Sequence, residues 1–386
     1  LAQNSEDSRG ARAFQDTQLP ANGRGDLAPK LAQNSEDSRG ARAFQDTQLP
    51  ANGRGDLAPK LAQNSEDSRG ARAFQDTQPP ANGGGDLAPQ NAQKSENGCG
   101  IPTRCIPCQT VIFAMGHSAR DTFRRLRARG IAMSQKPFSV GVRIEHPQDM
   151  IDIAQYGAPG RELGLPPADY KLSWRCENGR GVYTFCMCPG GKVVIASSQA
   201  GGVVTNGMSY HDRASGIANS ALVVNVSPED FGHNPLDGVE FQRRWERLAF
   251  KCGGEKFYAP AQNFKTFLNG SAPSAESLVK ASCLPGITAC DLNMVLPDYV
   301  TATLRGGIKA FGQRLAGFDD GGALLTGVET RTSAPLRIIR GSDKQSVSHR
   351  GLYPCGEGAG YAGGIMSAAL DGYHVARAVM ERFAPL

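Results

Sequence analysis

The residues best placed to do chemistry lie in a glycine-dense segment near the carboxyl end. Residues 351–372 read GLYPCGEGAGYAGGIMSAALDG, and residues 358–363 satisfy the spacing G-x-G-x-x-G. Small residues let a ligand approach the backbone, and free amides at the start of the following helix attract an anionic or electron-rich group. No strand with a ribose-binding acid follows about 20 residues later, so this is not the opening fingerprint of a nicotinamide domain. Glu357 is a candidate hydroxyl-binding carboxylate; the alternative is a plain strand–helix turn.

Two cysteine clusters could also do chemistry. Cys186 and Cys188 form C-x-C on a predicted strand, where alternation places both thiols on one face. Core packing and a redox or substrate-facing role are both open. Cys105 and Cys108 form C-x-x-C after Cys99, but no second C-x-x-C follows, so reduced thiols are favoured over zinc or redox chemistry. Ten cysteines without a signal peptide do not indicate a disulfide scaffold.

Two strands and two helices must position the glycine segment. Residues 109–115 (QTVIFAM) predict a buried strand that ends in a tight turn at Gly116 and His117. A helix follows to about Arg129, with Ser118 or Asp121 as its cap. The glycine segment itself begins with a predicted strand, 351–354. The last helix extends to about Phe383, and its apolar stripe comprises Ile365, Met366, Ala369, Tyr373, Ala376 and Met380.

The middle of the sequence is strand-rich. Residues 138–145 alternate strictly and predict a half-buried strand. A hairpin is predicted about residues 189–191 (Pro-Gly-Gly), and a capping box at Asp237 and Glu240. Other strands are predicted at 170–175, 182–188, 192–197, 220–226, 323–330 and 336–340, and helices at 147–156, 238–252 and 297–315.

A thirty-residue repeat occupies the amino-terminal part. Residues 1–30 recur unchanged at 31–60 and again at 61–90 with three differences. Each unit has few large apolar residues and no helical or strand period, so it cannot bury enough apolar surface to offset its ordering entropy. We predict that residues 1–95 are disordered. The two Arg-Gly-Asp tripeptides do not support an adhesion function.

Composition limits the classes of partner. The 386 residues are 40% hydrophobic and 20% charged, as in globular proteins, and no apolar run is long enough to span a membrane. Residues 91–386 carry a net charge of +7, from 32 Lys and Arg (42 less 10) and 25 Asp and Glu (37 less 12). This spread-out excess suits an anionic ligand. We therefore expect a small-molecule substrate and neither nucleic acid nor membrane as partner.

Several of these segments resemble one family when taken together. Residues 110–383 resemble the FAD-dependent dehydrogenases described as NAD(FAD)-utilising or uncharacterised FAD-dependent proteins. The matching runs appear in family order: AMGHSARDTF (114–123), KPFSVGVRIEHPQ (136–148), YTFCMCPGG (183–191), VTNGMS (204–209), GVETRT (327–332) and residues 351–364.

The resemblance implies an α/β fold and an FAD cofactor. A partial FAD/NAD(P)-binding Rossmann-like domain would comprise residues 96–130 and 346–386, and a strand-rich α+β substrate domain, 131–345, would be interposed. No metal site is implied. The implied FAD-binding residues are Ala114, Gly116 and His117 in an A-x-G turn, Gly356, Glu357 and Gly358 near the ribityl–pyrophosphate part, and Gly363, Gly364 and Ile365 at the flavin pyrimidine edge.

The resemblance also suggests which residues line the substrate site: Cys186, Cys188, Arg331 and Thr332. Arg331 could hold an anionic substrate, and a surface salt bridge is the alternative. His117 is favoured as a hydrogen-bonding turn residue over an acid or base.

The expected activity is that of an FAD-dependent oxidoreductase with an unknown substrate and NAD(P)H as a candidate electron donor. The family's opening G-x-G-x-x-G unit is absent before residue 111, and Gln199 replaces an expected acidic residue. We therefore expect exposed sheet edges and one bare face, and a non-catalytic fragment or interaction protein is the alternative. A thiol or zinc module is a third hypothesis. A soluble protein of a reducing compartment, cytoplasm or plastid, is expected.

Overall fold

A computed structural model describes residues 106–384 of the protein. These residues form one compact unit. The predicted disorder of residues 1–95, and Cys99 and Cys105 of the proposed thiol cluster, lie outside the described residues. The predicted domain boundaries at 130/131 and 345/346 remain predictions.

The described residues form a mixed α/β structure. Its strands are β1 (Val111–Phe113), β2 (Met133–Gln135), β3 (Phe138–Pro147), β4 (Ser173–Arg175), β5 (Gly181–Cys188), β6 (Gly191–Ile195), β7 (Thr205–Ser209), β8 (Ile217–Val226), β9 (Ala259–Asn263), β10 (Ile287–Ala289), β11 (Leu324–Glu329), β12 (Leu336–Ile338) and β13 (Leu352–Pro354). Its helices are α1 (Arg120–Ala128), α2 (Gln148–Tyr156), α3 (Pro228–Phe231), α4 (Asp237–Cys252), α5 (Phe264–Asn269), α6 (Asp298–Gly312) and α7 (Ile365–Phe383).

A seven-stranded mixed sheet lies at the centre of this structure. Its order is β10–β9–β11–β3–β8–β5–β4, in which β9 and β10 are parallel and the other neighbours antiparallel. The long central strands β3 and β8 pair from Phe138↔Val226 to Pro147↔Ile217. Their Val and Ile side chains suit a buried pleated surface. Helix α6 packs on the apolar face, where Gly307 lies against Val182.

The prediction that β3 is half-buried is wrong, because both of its faces are covered. Arg143 and Glu145, on the face expected to meet solvent, are 0% exposed. The two-stranded sheet β6–β7 packs over this face, where the Asn206 carboxamide oxygen accepts a hydrogen bond from Arg143 Nη2 (2.7 Å). A buried polar face is tolerated when its groups find internal partners. The alternation is therefore real, but the polar side belongs to a buried network.

The predicted hairpin about residues 189–191 is also wrong. Strand β5 pairs with β4 and β8, whereas β6 pairs with β7 in a separate sheet. The β5–β8 register shifts between Phe185 and Cys188, and the chain then leaves the large sheet. The Pro-Gly-Gly segment does form a turn, but it connects the large sheet to the separate β6–β7 sheet rather than two neighbouring strands.

Two predicted helix caps differ from the structure. No side chain caps α4, because the Asp237 carboxylate accepts the backbone N–H of Asn234 upstream of the helix. The capping box is formed instead by Ser227 and Asp230 at α3. No side chain caps α1 either, and the Ser118 hydroxyl accepts from Arg331 Nη1 (3.1 Å).

Strands β1 and β13 form a separate parallel pair, flanked in sequence by α1 and α7. Val111 pairs with Leu352, and Phe113 with Pro354. Among the α7 side chains, Asp371 and Val375 are buried. The predicted apolar stripe of α7 is largely solvent-exposed. We define the exposed apolar surface by its large members: Val111, Ile112, Ile365, Met366, Leu370, Tyr373, Met380 and Phe383.

The structure also pairs two cysteines that the sequence analysis left unpaired. A disulfide joins Cys252, at the end of α4, to Cys290, which follows β10. Within residues 106–384, no helix is long and apolar enough to cross a membrane.

Candidate functional site

The parallel pairing of β1 with β13 brings two glycine-containing turns together: the first turn, Ala114–His117, and the second turn, residues 355–364. The carbonyl of Phe113 accepts a hydrogen bond from the Cys355 N–H (2.8 Å), where both turns begin. A Cβ atom at Gly358 would overlap the Gly116 carbonyl, so this contact requires a glycine. His117 Nδ1 lies 3.1 Å from Glu357 Oε1, and both side chains are about one quarter exposed. The role of His117 as a hydrogen-bonding turn residue rather than an acid or base remains a prediction.

Asp371 of α7 fixes the second turn. Its carboxylate accepts the Gly356 N–H (2.7 Å) and forms an ion pair with Arg340. Burial alone would raise the pKa of Asp371, but the hydrogen bonds from Arg340 and Gly356 lower it below its usual value. Asp371 therefore positions the turn as a buried anion.

The start of α7 is open. Gly364 occupies the N-cap position, no side chain caps the helix, and its first turn carries no acidic residue. A Cβ atom at Gly363 or Gly364 would meet nothing within 4 Å. Ile365 and Met366 are 89% and 81% exposed. A helix start of this kind can accept an anionic or electron-rich group.

A cleft of about 720 Å³ begins at this helix start and continues along the polar face of the large sheet. Gly363 lines it, together with Lys136 before β3, Tyr183 of β5 and Thr332 after β11. Cavities of this size hold small organic ligands. The structure thus brings together Thr332 and Gly363, which the sequence analysis assigned to substrate and cofactor respectively.

Polar contacts hold the cleft floor. Tyr183 Oη donates to Ser139 Oγ (2.8 Å), and Ser139 shares two hydrogen bonds between its backbone and the Thr332 hydroxyl (3.1 and 3.0 Å). Lys136 Nζ donates to Ser333 Oγ (3.2 Å). Burial raises the pKa of Tyr183 and lowers that of Lys136, which the charge of Glu357 partly opposes. Burial therefore favours the neutral phenol of Tyr183, and the Lys136 ammonium interacts electrostatically with Glu357 of the second turn.

Arg331 is tied into a buried cluster. Its guanidinium donates twice to Glu246 (2.9 and 2.8 Å) and once to Ser198 Oγ (2.8 Å). Arg120 of α1 also donates to both Glu246 oxygens (2.8 and 2.7 Å) and to Gln199 Oε1 (3.0 Å). The ion pair of Arg331 is buried, so the surface salt bridge is wrong. Its use as a substrate anchor remains a prediction, although its donors are directed to internal partners.

Cys186 and Cys188 lie beyond the cleft on the same sheet face. Phe185 lines the cleft, while the register pairs Cys188 with Asn219, opposite Glu145 of β3. Arg143 Nη1 donates to the Cys186 carbonyl (2.9 Å) and lies 4.0 Å from Cys188 Sγ. The structure therefore does not place this pair among the cleft-lining residues. Their role toward the substrate remains a prediction.

Comparison with known proteins accounts for the middle of the chain. Residues 137–332 match the family model described as FAD-dependent protein, C-terminal domain-like. The chain belongs to this family. It is also 49% identical, over 280 residues, to an uncharacterized protein of Clostridium beijerinckii (strain ATCC 51743 / NCIMB 8052). That match covers 72% of this chain and 52% of the relative, so the chain spans about half the relative's length.

The family match includes most of the cleft but not the second glycine turn. Tyr183, Ser139 and Thr332 fall inside it, whereas residues 355–364 follow it. The sequence analysis missed Tyr183 and Lys136 as site residues. Tyr183 begins one of the matching runs (183–191), and it lies on the same strand face as Phe185, two residues later. That was the available signal. Lys136 also begins one of the matching runs (136–148), but its place in the cleft depends on the tertiary approach of Ser333.

The buried Glu246 predicts a specific acid sensitivity. Burial alone would raise its pKa, but hydrogen bonds and charge from Arg331 and Arg120 lower it from 4.5 to about 2. Its contribution to stability is therefore complete above about pH 4.5 and is lost as the pH falls toward 2. The shift corresponds to about 3 kcal/mol. Urea unfolding should show that the difference in free energy of unfolding between wild type and Glu246→Gln becomes smaller from pH 6 to pH 3. A difference that does not change with pH would contradict this assignment.

Proposed function

We propose that the chain forms the carboxyl-terminal part of an FAD-dependent oxidoreductase. The observation that carries this proposal is the parallel β1–β13 pair, which joins the Ala114–His117 turn to the turn at residues 355–364. Family membership supports the flavin. The Rossmann-like character of this part is included in the proposal.

The residues present fit FAD on three counts. A Cβ atom at Gly116 or Gly356 would meet nothing within 4 Å, so the backbone of both turns is open to a pyrophosphate or ribityl chain. Glu357 can accept hydrogen bonds from ligand hydroxyl groups. The uncapped start of α7 at Gly363, Gly364 and Ile365 stabilises negative charge on a flavin ring edge. Bound FAD would supply hydride or electron transfer.

The cleft residues define the proposed substrate side. Lys136 is a cation for an anionic substrate group, and the Tyr183 phenol, neutral and hydrogen-bonded to Ser139, can hold or donate a proton. Thr332 fixes the Ser139 backbone beneath both. We propose a small anionic substrate that enters the cleft next to the flavin edge, with NAD(P)H as the candidate electron donor.

The exposed apolar surface supports a second polypeptide segment at this site. Apolar patches of this kind mark interaction surfaces. Because the chain spans about half of its relative, we propose that the remaining part of a nucleotide domain covers α7 and β1. The same surface favours the alternative function, an interaction protein derived from such an enzyme.

An FAD titration tests the proposal. We expect the chain, the longer Clostridium relative, or both to quench flavin fluorescence and saturate at one FAD per chain. In whichever protein binds, substitution of the glycine that corresponds to Gly363 by Val should weaken FAD at least tenfold, and Gly→Ala less. The Cβ has open space at Gly363, so the melting temperature should not change.

The two functions predict different outcomes. Binding by the relative alone would show that FAD binding requires the part of the relative that this chain does not span, and would favour an interaction role for this chain by itself. If neither protein binds FAD above a protein-free blank, the flavoenzyme proposal is wrong.

A further inference from the structure

The polar face of the large sheet carries a dithiol outside the cleft. Cys186 is exposed and Cys188 is buried, and both are free thiols. Cys186 has a left-handed backbone conformation (φ 45°) at the point where the β5–β8 register shifts. Such a conformation is uncommon for a non-glycine residue. At this bend the Cys188 thiol donates a hydrogen bond to the Cys186 carbonyl (3.4 Å).

A fixed cation lies next to this pair. Arg143 is fully buried and is held in place by Glu329 through two hydrogen bonds (2.8 and 3.1 Å) and by Asn206. Its Nη1 contacts the Cys186 carbonyl and approaches Cys188 Sγ. Glu329 offsets part of this positive charge, so the cation attracts a thiolate without being an isolated buried charge.

The two thiols are electrostatically unequal. The hydrogen bond from Cys188, aided by Arg143, lowers the pKa of Cys186 to about 6, whereas the same contact and burial raise the pKa of Cys188. A low-pKa, exposed thiol next to a second thiol is the environment in which cysteines attack disulfides.

We propose that Cys186 and Cys188 form a reversible dithiol–disulfide site that exchanges with small disulfides. The Cys186 thiolate attacks one sulfur of a disulfide such as oxidised glutathione, forms a mixed disulfide and releases one thiolate. Cys188 then loses its proton and attacks Cys186 Sγ, and the second thiolate departs. The protein dithiol loses two electrons and two protons, and the glutathione disulfide is reduced to two thiols. This site does not depend on FAD, so it can be tested separately from the proposed function.

One tryptic peptide reports on the site. Residues 181–192, between Arg180 and Lys192, contain Cys186 and Cys188 and no other cysteine. After equilibration with oxidised glutathione, acid quenching and alkylation, this peptide should carry an internal disulfide that dithiothreitol reverses. Cys176, alone in residues 176–180, is the matched control, because burial raises its pKa. At pH 7 the reduced protein should be alkylated at Cys186 at least tenfold faster than at Cys176.

Single variants identify the attacking sulfur. Cys188→Ser should accumulate glutathione on Cys186, whereas Cys186→Ser should leave Cys188 reduced. Recovery of peptide 181–192 from the wild type with two alkyl groups and no disulfide would overturn the proposal, and this readout needs no variant to fold. The assigned roles would be overturned if the Cys186→Ser variant carried as much glutathione on Cys188 as the Cys188→Ser variant carries on Cys186.

Discussion

Replacing Glu246 with Gln is expected to lower the free energy of unfolding by about 3–5 kcal/mol. The carboxylate bridges two buried guanidinium groups, those of Arg120 and Arg331, and also accepts a hydrogen bond from Thr330. A carboxamide is neutral and carries one acceptor oxygen, so both cations would lose their counter-ion while remaining buried. An uncompensated buried charge is among the few single changes that cost this much.

Glu240→Gln is the matched control on the same helix. Glu240 pairs with Arg124 and Arg243, but its side chain is about half exposed, and such pairs contribute about 0–1 kcal/mol. Urea unfolding at pH 7, followed by circular dichroism, compares the two variants. A Glu246→Gln loss no larger than that of Glu240→Gln would show that the cluster is hydrated rather than buried.

Local sequence signals predicted much of the fold. The alternating strand at 138–145, the helix at 147–156 and the closing strand–turn–helix all appear near their predicted positions. Each depends on a periodicity or a turn residue that acts within one element. Strands β2, β7, β9 and β10, each of three to five residues, were missed.

The failures share one physical cause, which is that pairing partners are chosen by tertiary packing. The Pro-Gly-Gly turn at 189–191 predicted a local hairpin, yet β5 gains a longer partner in β8, and β6 covers the polar face with β7. Arg143 could be assigned to the interior only once Glu329 and Asn206 were known to meet it. An Arg on an alternating strand otherwise indicates a solvent face.

The candidate site was predicted in part. The resemblance named the residues of both turns, and the structure brings Gly116 and Gly358 into contact. The resemblance suggested Arg331 as a substrate anchor, which remains a prediction; its observed partner Glu246 lies on a helix more than 80 residues away in sequence. Lys136 and Tyr183 could be assigned to the cleft only from the structure, because five separate segments of the chain line it.

Replacing Gly358 with Ala is expected to separate the two turns and to abolish FAD binding by the protein that shows it. The added Cβ would overlap the carbonyl oxygen, the carbonyl carbon and the amide nitrogen of Gly116. These are backbone atoms, so they cannot rotate away as a side chain would. Either β13 moves away from β1 or the Cys355–Phe113 hydrogen bond breaks. Overpacking of this kind costs about 1–3 kcal/mol.

The matched control for Gly358→Ala lies a few turns away, within α7. Gly372 is a helix-interior glycine whose added Cβ would meet nothing within 4 Å, so Gly372→Ala should be neutral or stabilise by up to about 1 kcal/mol. Melting temperature and FAD titration together separate the effects: Gly358→Ala should lose both stability and flavin affinity, at least tenfold in the latter, and Gly372→Ala neither. If Gly358→Ala retained wild-type flavin affinity in a protein that binds FAD, the joined turns would not be the flavin site, because the substitution acts directly at their contact.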